Sequence, residues 1–340
     1  MKAKDTNGVA PAISHPDKLL FPADGITKGE LARYYESVAP LMVPHLRGRP
    51  VTMERFPAGI DKKGFIQKDV SKGFPEWLAR VEVPKKDEGT TWYPLIDDAR
   101  SLQWIANQNC ITPHVWVSRV PELHVPDVCV FDLDPSTDDF ETLRKAALAV
   151  RALLDELGLP SFVKTSGSKG YHIVVALDGQ SDAEVVGTFT HGAGAVLVKR
   201  HPELFTQEFI KADRGNRVLV DTGRNWPGAT FAAVYAVRPK TGAPISAPCS
   251  WEEIEAGAIQ PRSCTLRNLA ARLAATGDLW KTLHEHPCSL REPFARVRAQ
   301  LSDDDWQEAN AARVRRPKSR SAPRAPRAPR AARPRSAKKS

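Results

Sequence analysis

Short apolar runs recur between residues 128 and 221, and two stretches with helical spacing separate them. The runs lie at 130–133, 161–163, 173–177 and 218–220. Each run is short and bounded by turn-forming residues, which predicts a strand. Residues 139–157 and 182–200 carry apolar side chains every three or four positions, although three glycines interrupt the second stretch. These two stretches are predicted to be helices.

The order strand, helix, strand, hairpin, strand, helix, strand predicts a sheet with helices on one face and polar side chains on the other. Periodicity alone therefore gives the α+β class. Residues 262–312 are predicted to be helical and to close the fold. A capping-box spacing at Thr27 and Glu30 predicts a further helix that runs to about Val38.

Two carboxylates, Asp132 and Asp134, stand at positions i and i+2 at the end of the first run. On a strand this spacing places both on the same face, and Pro135 stops the strand beside them. Their repulsion is relieved by a cation, and hard oxygen ligands suit Mg²⁺ or Mn²⁺. Asp221 ends the last run in the same way. The alternative for each acid taken alone is a turn-forming role.

A hairpin rich in glycine and serine, residues 164–172, lies between the second and third runs. Its glycines allow backbone N–H groups to turn toward an anion, and its hydroxyls and lysine add donors and positive charge. The residues that indicate a phosphate site are Ser166, Ser168, Lys169 and His172. An ordinary polar hairpin is the alternative, and the Walker A spacing is absent. With three acidic strand ends, the hairpin suits in-line nucleotidyl transfer with two divalent ions.

A second anion site is predicted near the N-terminus. Lys28 falls in the first turn of the helix that Thr27 caps, and Lys18 lies just upstream. The helix dipole disfavours a cation in this turn, unless a phosphate binds to Lys28 and to the free N–H groups of the helix.

The positive charge of the chain is concentrated at its C-terminus. The net charge is +9 from 49 Lys and Arg against 40 Asp and Glu, and 12 of the basic residues lie within 313–340, where no acid occurs. The rest of the chain carries 37 basic residues against 40 acidic ones. The repeated Ala-Pro-Arg of this tail predicts a disordered arm that attracts nucleic acid without sequence preference. A solubilising tail or a linker is the alternative.

The remaining composition indicates a cytoplasmic protein. The five cysteines are scattered without a CxxC pair, which indicates reduced thiols rather than zinc or disulfide sites. The chain contains no apolar run of 18 residues and no signal-peptide pattern, so no membrane partner is expected.

Together the motifs resemble the archaeo-eukaryotic primase superfamily and, more closely, the polymerase domain of bacterial ligase D. Further matches in the same order extend from about His15 to about Ala295. They begin at His15, Gly48, Arg55, Phe65, His114 and Tyr235, and read HPDKLLFPA, GRP, RFPAGID, FIQK, HVW and YAVR.

The resemblance implies a two-lobed catalytic core whose RNA-recognition-like sheet carries the acids. It implies a flexible segment 1–14, a catalytic domain 15–312 and the tail 313–340. The domain divides into an N-terminal α/β lobe at about 15–125, a catalytic lobe at about 126–295 and closing helices. The resemblance also implies a role for each matched residue. The residues that bind metals are Asp132, Asp134 and Asp221, and those that hold the nucleotide are Ser166, Ser168, Lys169, His172 and Arg238, with His114 and Arg214 lining its pocket. On the DNA side, Lys18 and Lys28 bind a 5′-phosphate and Phe65 stacks on DNA.

The function that the resemblance implies is metal-dependent addition of nucleotides to a 3′-hydroxyl at DNA gaps or double-strand break ends. It implies Mn²⁺ or Mg²⁺ as the two ions, NTP or dNTP substrates with ribonucleotides preferred, and a bacterial, nucleoid-associated setting. No Lys-x-Asp-Gly ligase motif is present, so a separate ATP-dependent ligase and Ku are the expected partners. The alternatives are a primase or translesion-type enzyme of the superfamily, and a non-catalytic module that bridges DNA ends. A metal nuclease would not need the triphosphate hairpin.

One departure from the family pattern lies at residues 53–55. Glu54 stands where many relatives carry more positive charge, which puts the primer or template contacts at this position in doubt.

Overall fold

The structure is a computed structural model that describes residues 12–70, 73–85 and 88–307. The predicted tail at 313–340 and most of the predicted flexible segment 1–14 lie outside the described residues. The strands are β1 (Leu19–Phe21), β2 (Ile26–Thr27), β3 (Val51–Arg55), β4 (Phe65–Gln67), β5 (Arg80–Pro84), β6 (Thr90–Pro94), β7 (Cys110–Val115), β8 (Val128–Pro135), β9 (Phe162–Thr165), β10 (Tyr171–Ala176), β11 (Phe205–Thr206), β12 (Val218–Asp221), β13 (Phe231–Ala232) and β14 (Pro248–Cys249). The helices are α1 (Lys28–Leu46), α2 (Ala99–Asn107), α3 (Phe140–Glu156), α4 (Ala183–Arg200), α5 (Trp251–Glu255), α6 (Leu269–Thr276) and α7 (Arg291–Arg298).

The predicted strands and helices between residues 128 and 221 form the larger sheet and its helical layer. The strand order is β11-β12-β8-β10-β9-β14, and all pairs are antiparallel except β11 with β12. Helices α3 and α4 contact each other and both pack on β8. The opposite face of the sheet carries the polar side chains, as the sequence pattern predicts.

The glycines that weaken the helical pattern of α4 have a packing function. A Cβ atom built on Gly187 would lie 2.5 Å from the ring of Trp226, and one on Gly192 would lie 2.6 Å from Trp306. The helix therefore approaches these rings more closely than any larger residue allows. The cost in helix propensity, about 1 kcal/mol per glycine, is offset by the close packing.

The second sheet has the order β13-β7-β3-β4 and packs with α1 and α2. Helix α1 starts at the predicted capping box, with Thr27 Oγ1 accepting from Glu30 N at 3.2 Å and Glu30 Oε2 accepting from Thr27 N at 2.8 Å. It runs to Leu46, beyond the predicted end near Val38, and includes Pro40 and Pro44. Burial of the apolar side chains in its last turns offsets the backbone hydrogen bonds that the prolines remove.

The predicted helical stretch 262–312 is only partly helical. Helices α6 and α7 are short, and an irregular segment that includes Trp280 separates them. Trp280 is buried and donates from Nε1 to the carbonyl of Val163 at 3.1 Å, which agrees with its predicted packing role.

The two sheets meet where β13 approaches β9 and β10. The Phe231 ring packs edge-on against the His172 ring at 6.0 Å, and Lys164 Nζ donates to the carbonyl of Ala232 at 3.0 Å. On the other side of this junction Asp127 pairs with Arg49 at 2.6 Å. The polar face of the larger sheet therefore lies in the cleft between the two sheets.

Candidate active site

The three predicted acidic residues lie together because β8 is hydrogen-bonded on both sides. Asp132 is paired with His172 of β10 on one edge and with Asp221 of β12 on the other, and Asp134 is paired with Leu219. Residues opposite each other in antiparallel strands share a face, as do residues at i and i+2. The carboxylates of Asp132, Asp134 and Asp221 therefore project from one face of the sheet.

Two arginines neutralise these carboxylates. Arg224 Nε lies 3.1 Å from Asp132 Oδ2, and its NH2 group lies 3.4 Å from Asp221 Oδ2. Arg214 NH1 lies 3.0 Å from Asp134 Oδ2. Burial by itself raises the pKa of Asp132, but the charges and hydrogen bonds of His172 and Arg224 outweigh it and hold that pKa well below its usual range. Asp132 is therefore an anion at neutral pH.

The turn after β12 places Arg224 over the acids. The Asn225 side chain accepts from Val130 N and donates to Val130 O, both at 2.8 Å, which fastens the turn to β8. Asp221 Oδ1 accepts from Gly223 N at 2.8 Å and closes the turn from the other end. Sequence reasoning missed Arg224, because its position beside Asp132 depends on this turn.

The donor set fits hard divalent cations, because it consists of three carboxylates on one face. Within the described residues no group of three His, Cys, Asp or Glu side chains is arranged as a metal site. Arg214 and Arg224 each hold carboxylate oxygens that a metal would need, and the Arg224 side chain is 41% exposed.

The serine-rich hairpin lies beside the acids, and its close approach to β8 requires glycine. A Cβ on Gly170 would lie 1.6 Å from the carbonyl oxygen of Leu133. Ser166 Oγ accepts from Ser168 N at 3.2 Å and from Gly170 N at 3.1 Å. The expectation that the glycines leave the N–H groups free for an anion is therefore wrong for these two groups, because the Ser166 hydroxyl already binds them.

Basic side chains surround the hairpin. Lys169 pairs with the exposed Asp138 at 3.3 Å, and Arg262 Nε donates to Ser168 O at 2.9 Å. Burial, followed by the charges of Arg262 and Arg238, lowers the pKa of Lys240. Sequence reasoning missed Arg262 and Lys240, because both are far from the hairpin in sequence and lie near it only in the folded chain.

Arg238 donates from NH1 to Ser166 O at 3.3 Å, and its Nε is buried without a hydrogen-bond partner. Such an orphaned donor is costly unless a ligand satisfies it.

Across the cleft, His114 Nε2 lies 3.2 Å from Glu54 Oε2. Burial lowers the pKa of His114 despite this carboxylate. The acid at position 54 thus faces His114.

His172 is 4% exposed, and both of its ring nitrogens have partners. Nε2 lies 3.3 Å from Asp132 Oδ1, and Nδ1 lies 2.7 Å from Lys164 Nζ. Burial, followed by the charge of Lys164, lowers the pKa of His172 to about 4. Direct contact between His172 and a nucleotide stays a prediction; in this structure its neighbours are Asp132 and Lys164.

Comparisons with known proteins identify the family of this chain. The family model of the LigD primase-polymerase domain matches residues 27–280. The chain belongs to the LigD primase-polymerase family. It is 35% identical over 280 residues to the multifunctional non-homologous end joining DNA repair protein LigD of Mycobacterium tuberculosis, a match that covers 80% of this chain and 36% of the relative. The bifunctional non-homologous end joining protein LigD of Bacillus subtilis is 27% identical over 287 residues, covering 84% and 46% of the two chains.

A solved structure of the polymerase domain from M. tuberculosis ligase D in complex with DNA superposes with a TM-score of 0.77 at 34% identity, covering 82% of this chain and 99% of that one. The predicted α+β fold and the predicted family are confirmed. LigD primase-polymerase domains are nucleotidyltransferases of DNA-end repair, and their reaction requires divalent metals. The chain spans about a third of the M. tuberculosis LigD that it matches.

The predicted 5′-phosphate site of this LigD-family chain lacks the free helix N–H groups that were expected there. At the start of α1, Lys28 N donates to Lys18 O and Gly29 N donates to Pro16 O, both at 2.8 Å, while Glu30 N donates to Thr27 Oγ1. The first three N–H groups are therefore not free, and only side chains remain for a phosphate. Burial, followed by the charges of Lys18 and Arg55, lowers the pKa of Lys28, whose Nζ lies 2.8 Å from Ser14 Oγ.

Phe65 is exposed on the edge strand β4. It is 46% exposed, its neighbour Ile66 is 55% exposed, and the guanidinium of Arg55 lies 5.3 Å from the centre of its ring. Without the family resemblance, a lone aromatic in an apolar pattern would be placed in the core. Its exposure leaves a ring face for stacking.

Proposed function

We propose that this chain adds nucleotides to the 3′-hydroxyl of DNA at gaps and double-strand break ends, as a polymerase of non-homologous end joining. The observation that carries the proposal is the grouping of Asp132, Asp134 and Asp221 on one sheet face beside the basic serine hairpin. Family membership and the DNA-bound M. tuberculosis neighbour support it.

In this proposal Asp132 and Asp134 hold two Mg²⁺ or Mn²⁺ ions, and Asp221 completes the site of the ion nearer the 3′-hydroxyl. When bound, these ions lower the pKa of the attacking hydroxyl and neutralise the triphosphate. The chain's own contribution is to keep the carboxylates ionised and correctly oriented. Arg214 and Arg224, which neutralise the acids in this structure, would release the carboxylates to the metals and pair instead with oxygens of the nucleotide.

The nucleotide side of the proposed site is the hairpin with its cations. Ser166, Ser168, Lys169 and Arg238 bind the triphosphate of an incoming NTP or dNTP. The orphaned Nε of Arg238 supports this role, because a phosphate oxygen would satisfy it. His114 lines the pocket. His172 supports Asp132, since its Nε2 atom lies 3.3 Å from Asp132 Oδ1. We propose that ribonucleotides are preferred.

The DNA side lies along α1 and β4. Lys18 and Lys28 bind a 5′-phosphate through their side chains, and Phe65 stacks on a base. An ATP-dependent ligase and Ku are the proposed partners, and the bacterial cytoplasm, at the nucleoid, is the proposed location. Among the described residues no helix is long and apolar enough to span a bilayer.

The test is primer extension on a one-nucleotide gap with a 5′-phosphate, in Mn²⁺, comparing a ribonucleotide with the matching deoxyribonucleotide. We expect templated addition that favours the ribonucleotide and depends on the 5′-phosphate. Asp134→Ala is expected to abolish addition and to leave DNA binding intact. If the wild-type chain binds the gap tightly and adds neither nucleotide, a non-catalytic bridging module replaces the proposal. De novo synthesis without a primer would instead support a primase.

A further inference from the structure

Lys164 is a charged residue that the proposed reaction does not use directly. It lies on β9 with an exposure of 0%, and it is paired with His172 in the sheet. Moving an ammonium group out of water costs several kcal/mol unless partners satisfy it. The burial of this lysine therefore depends on the groups that its hydrogens contact.

Burial, followed by the charge of Arg238, lowers the pKa of Lys164 well below its usual value, and the charge of Asp132 opposes this shift. In its ammonium form Lys164 has three hydrogens, and three acceptors surround them. The carbonyl of Ala232 can only accept, at 3.0 Å. Ser246 Oγ donates its own hydrogen to Thr165 O at 2.9 Å, and therefore accepts from Lys164. The third partner is His172 Nδ1 at 2.7 Å. The ring of Phe231 lies 5.6 Å from Nζ and adds a favourable cation–π contact.

With Lys164 in its ammonium form, these contacts allow only one neutral tautomer of His172. Because Nδ1 accepts a hydrogen from Lys164, the neutral ring carries its own hydrogen on Nε2. Nε2 lies 3.3 Å from Asp132 Oδ1. Nε2–H of His172 therefore lies beside one oxygen of Asp132, and Arg224 binds the other oxygen, Oδ2.

We propose that Lys164 is a positioning residue for Asp132, acting through His172, which it holds in the Nε2–H tautomer. The inference rests on the proposed function in one respect, namely that Asp132 binds a metal. Partners that orient a ligating carboxylate typically change metal affinity by about 10- to 100-fold when they are removed. Lys164 belongs to this class, although His172 lies between it and Asp132.

The first experiment reads the wild-type chain and uses a variant only to assign the His172 signals. In the wild-type chain, labelled with ¹⁵N-histidine and assigned by His172→Gln, the NMR spectrum reports which ring nitrogen of His172 carries hydrogen. The expected spectrum shows a protonated Nε2 and an unprotonated, hydrogen-bonded Nδ1 at neutral pH. A protonated Nδ1 would overturn the proposal.

The second experiment is a double-mutant cycle of Lys164→Met and His172→Gln, read as Mn²⁺ affinity by calorimetry without DNA or nucleotide. Methionine keeps the length of the side chain and removes its hydrogens. In the chain that keeps His172, we expect Lys164→Met to weaken Mn²⁺ binding by about 10- to 100-fold. In the His172→Gln background the loss should shrink to less than about threefold, because a glutamine amide donates without help from Lys164.

The matched control is Lys199→Met, on the exposed side of α4, which is expected to leave Mn²⁺ affinity unchanged. Circular dichroism and thermal unfolding establish that each variant is folded. Equal losses in both backgrounds, or an unchanged affinity in folded Lys164→Met, refute the positioning role. If the wild-type chain binds no Mn²⁺, the proposed metal site fails, whereas the His172 spectrum still decides the link between Lys164 and His172.

Discussion

Removal of Arg224 is expected to tighten metal binding. Its guanidinium lies 3.1 Å from Asp132 and 3.4 Å from Asp221, so a metal that binds both carboxylates must displace it. Arg224→Gln removes the charge and keeps a polar side chain of moderate length. Its effect on metal affinity separates the role of Arg224 as a counter-ion from any contact with a nucleotide.

The magnitude follows from the geometry. Two opposite charges about 4 Å apart attract by about 1 kcal/mol with the screening of bulk water and by about 4 kcal/mol at an effective dielectric constant near 20. The Arg224 side chain is 41% exposed, whereas those of Asp132 and Asp221 are 14% and 8% exposed, so each pair is expected at the upper end for exposed pairs, about 0.5 to 1 kcal/mol. For two pairs, a net of about 1 to 2 kcal/mol corresponds to a gain in Mn²⁺ affinity of about 5- to 30-fold.

The assay is titration calorimetry with Mn²⁺ in the absence of nucleotide and DNA. Arg200→Gln is the matched control, because Arg200 lies on the surface of α4 and pairs with Glu156 at 2.8 Å. Without metal, the Arg224→Gln variant should unfold at a lower temperature than the wild type, since Asp132 and Asp221 then repel each other. Saturating Mn²⁺ should recover more stability in the variant than in the wild type. An unchanged or weaker affinity in a folded variant would refute the counter-ion role of Arg224.

Three further predictions concern the DNA surface and pH. Lys28→Ala should erase the preference for a 5′-phosphate in gap-filling assays, and an unchanged preference would rule out the proposed phosphate site. Phe65→Ala should weaken DNA binding by about 1 to 3 kcal/mol in fluorescence anisotropy while leaving the melting temperature unchanged, because the ring is exposed; a large loss of stability would place the ring in the core instead. Burial lowers the pKa of His45 to about 4, so the unfolded chain binds more protons at this residue between pH 6.5 and 4. Urea unfolding should therefore show a loss of stability approaching about 1.4 kcal/mol per pH unit from this histidine below pH 6.5 and none from it above pH 7, a slope that His45→Gln should reduce.

Much of the fold follows from local rules in the sequence. The capping box at Thr27, the order of strands and helices between 128 and 221, and the shared face of Asp132 and Asp134 each depend on neighbouring residues only. The end of α1 was predicted wrongly, because local rules stop a helix near Pro40. Burial of the last turns against the core outweighs that rule.

The candidate site was predictable only in part. The motifs identified the acids and the hairpin, but not the state of the backbone around them. Ser166 binds the hairpin N–H groups, and the carbonyls of Lys18 and Pro16 bind the first N–H groups of α1. Sequence patterns indicate where such groups occur, whereas tertiary contacts decide whether they are free.

The sequence by itself determined which chemistry is present: the alternating period of a strand puts two carboxylates on one face, and ordered motifs identify the LigD primase-polymerase family. Only the tertiary structure decided which charged partners these residues have and how deeply they are buried. Arg224 reaches Asp132 across 92 positions of sequence, and Lys164 is buried because β13 covers it. Burial and electrostatic pairing depend on distances in space, and a local pattern carries no information about partners that the fold brings from far along the chain.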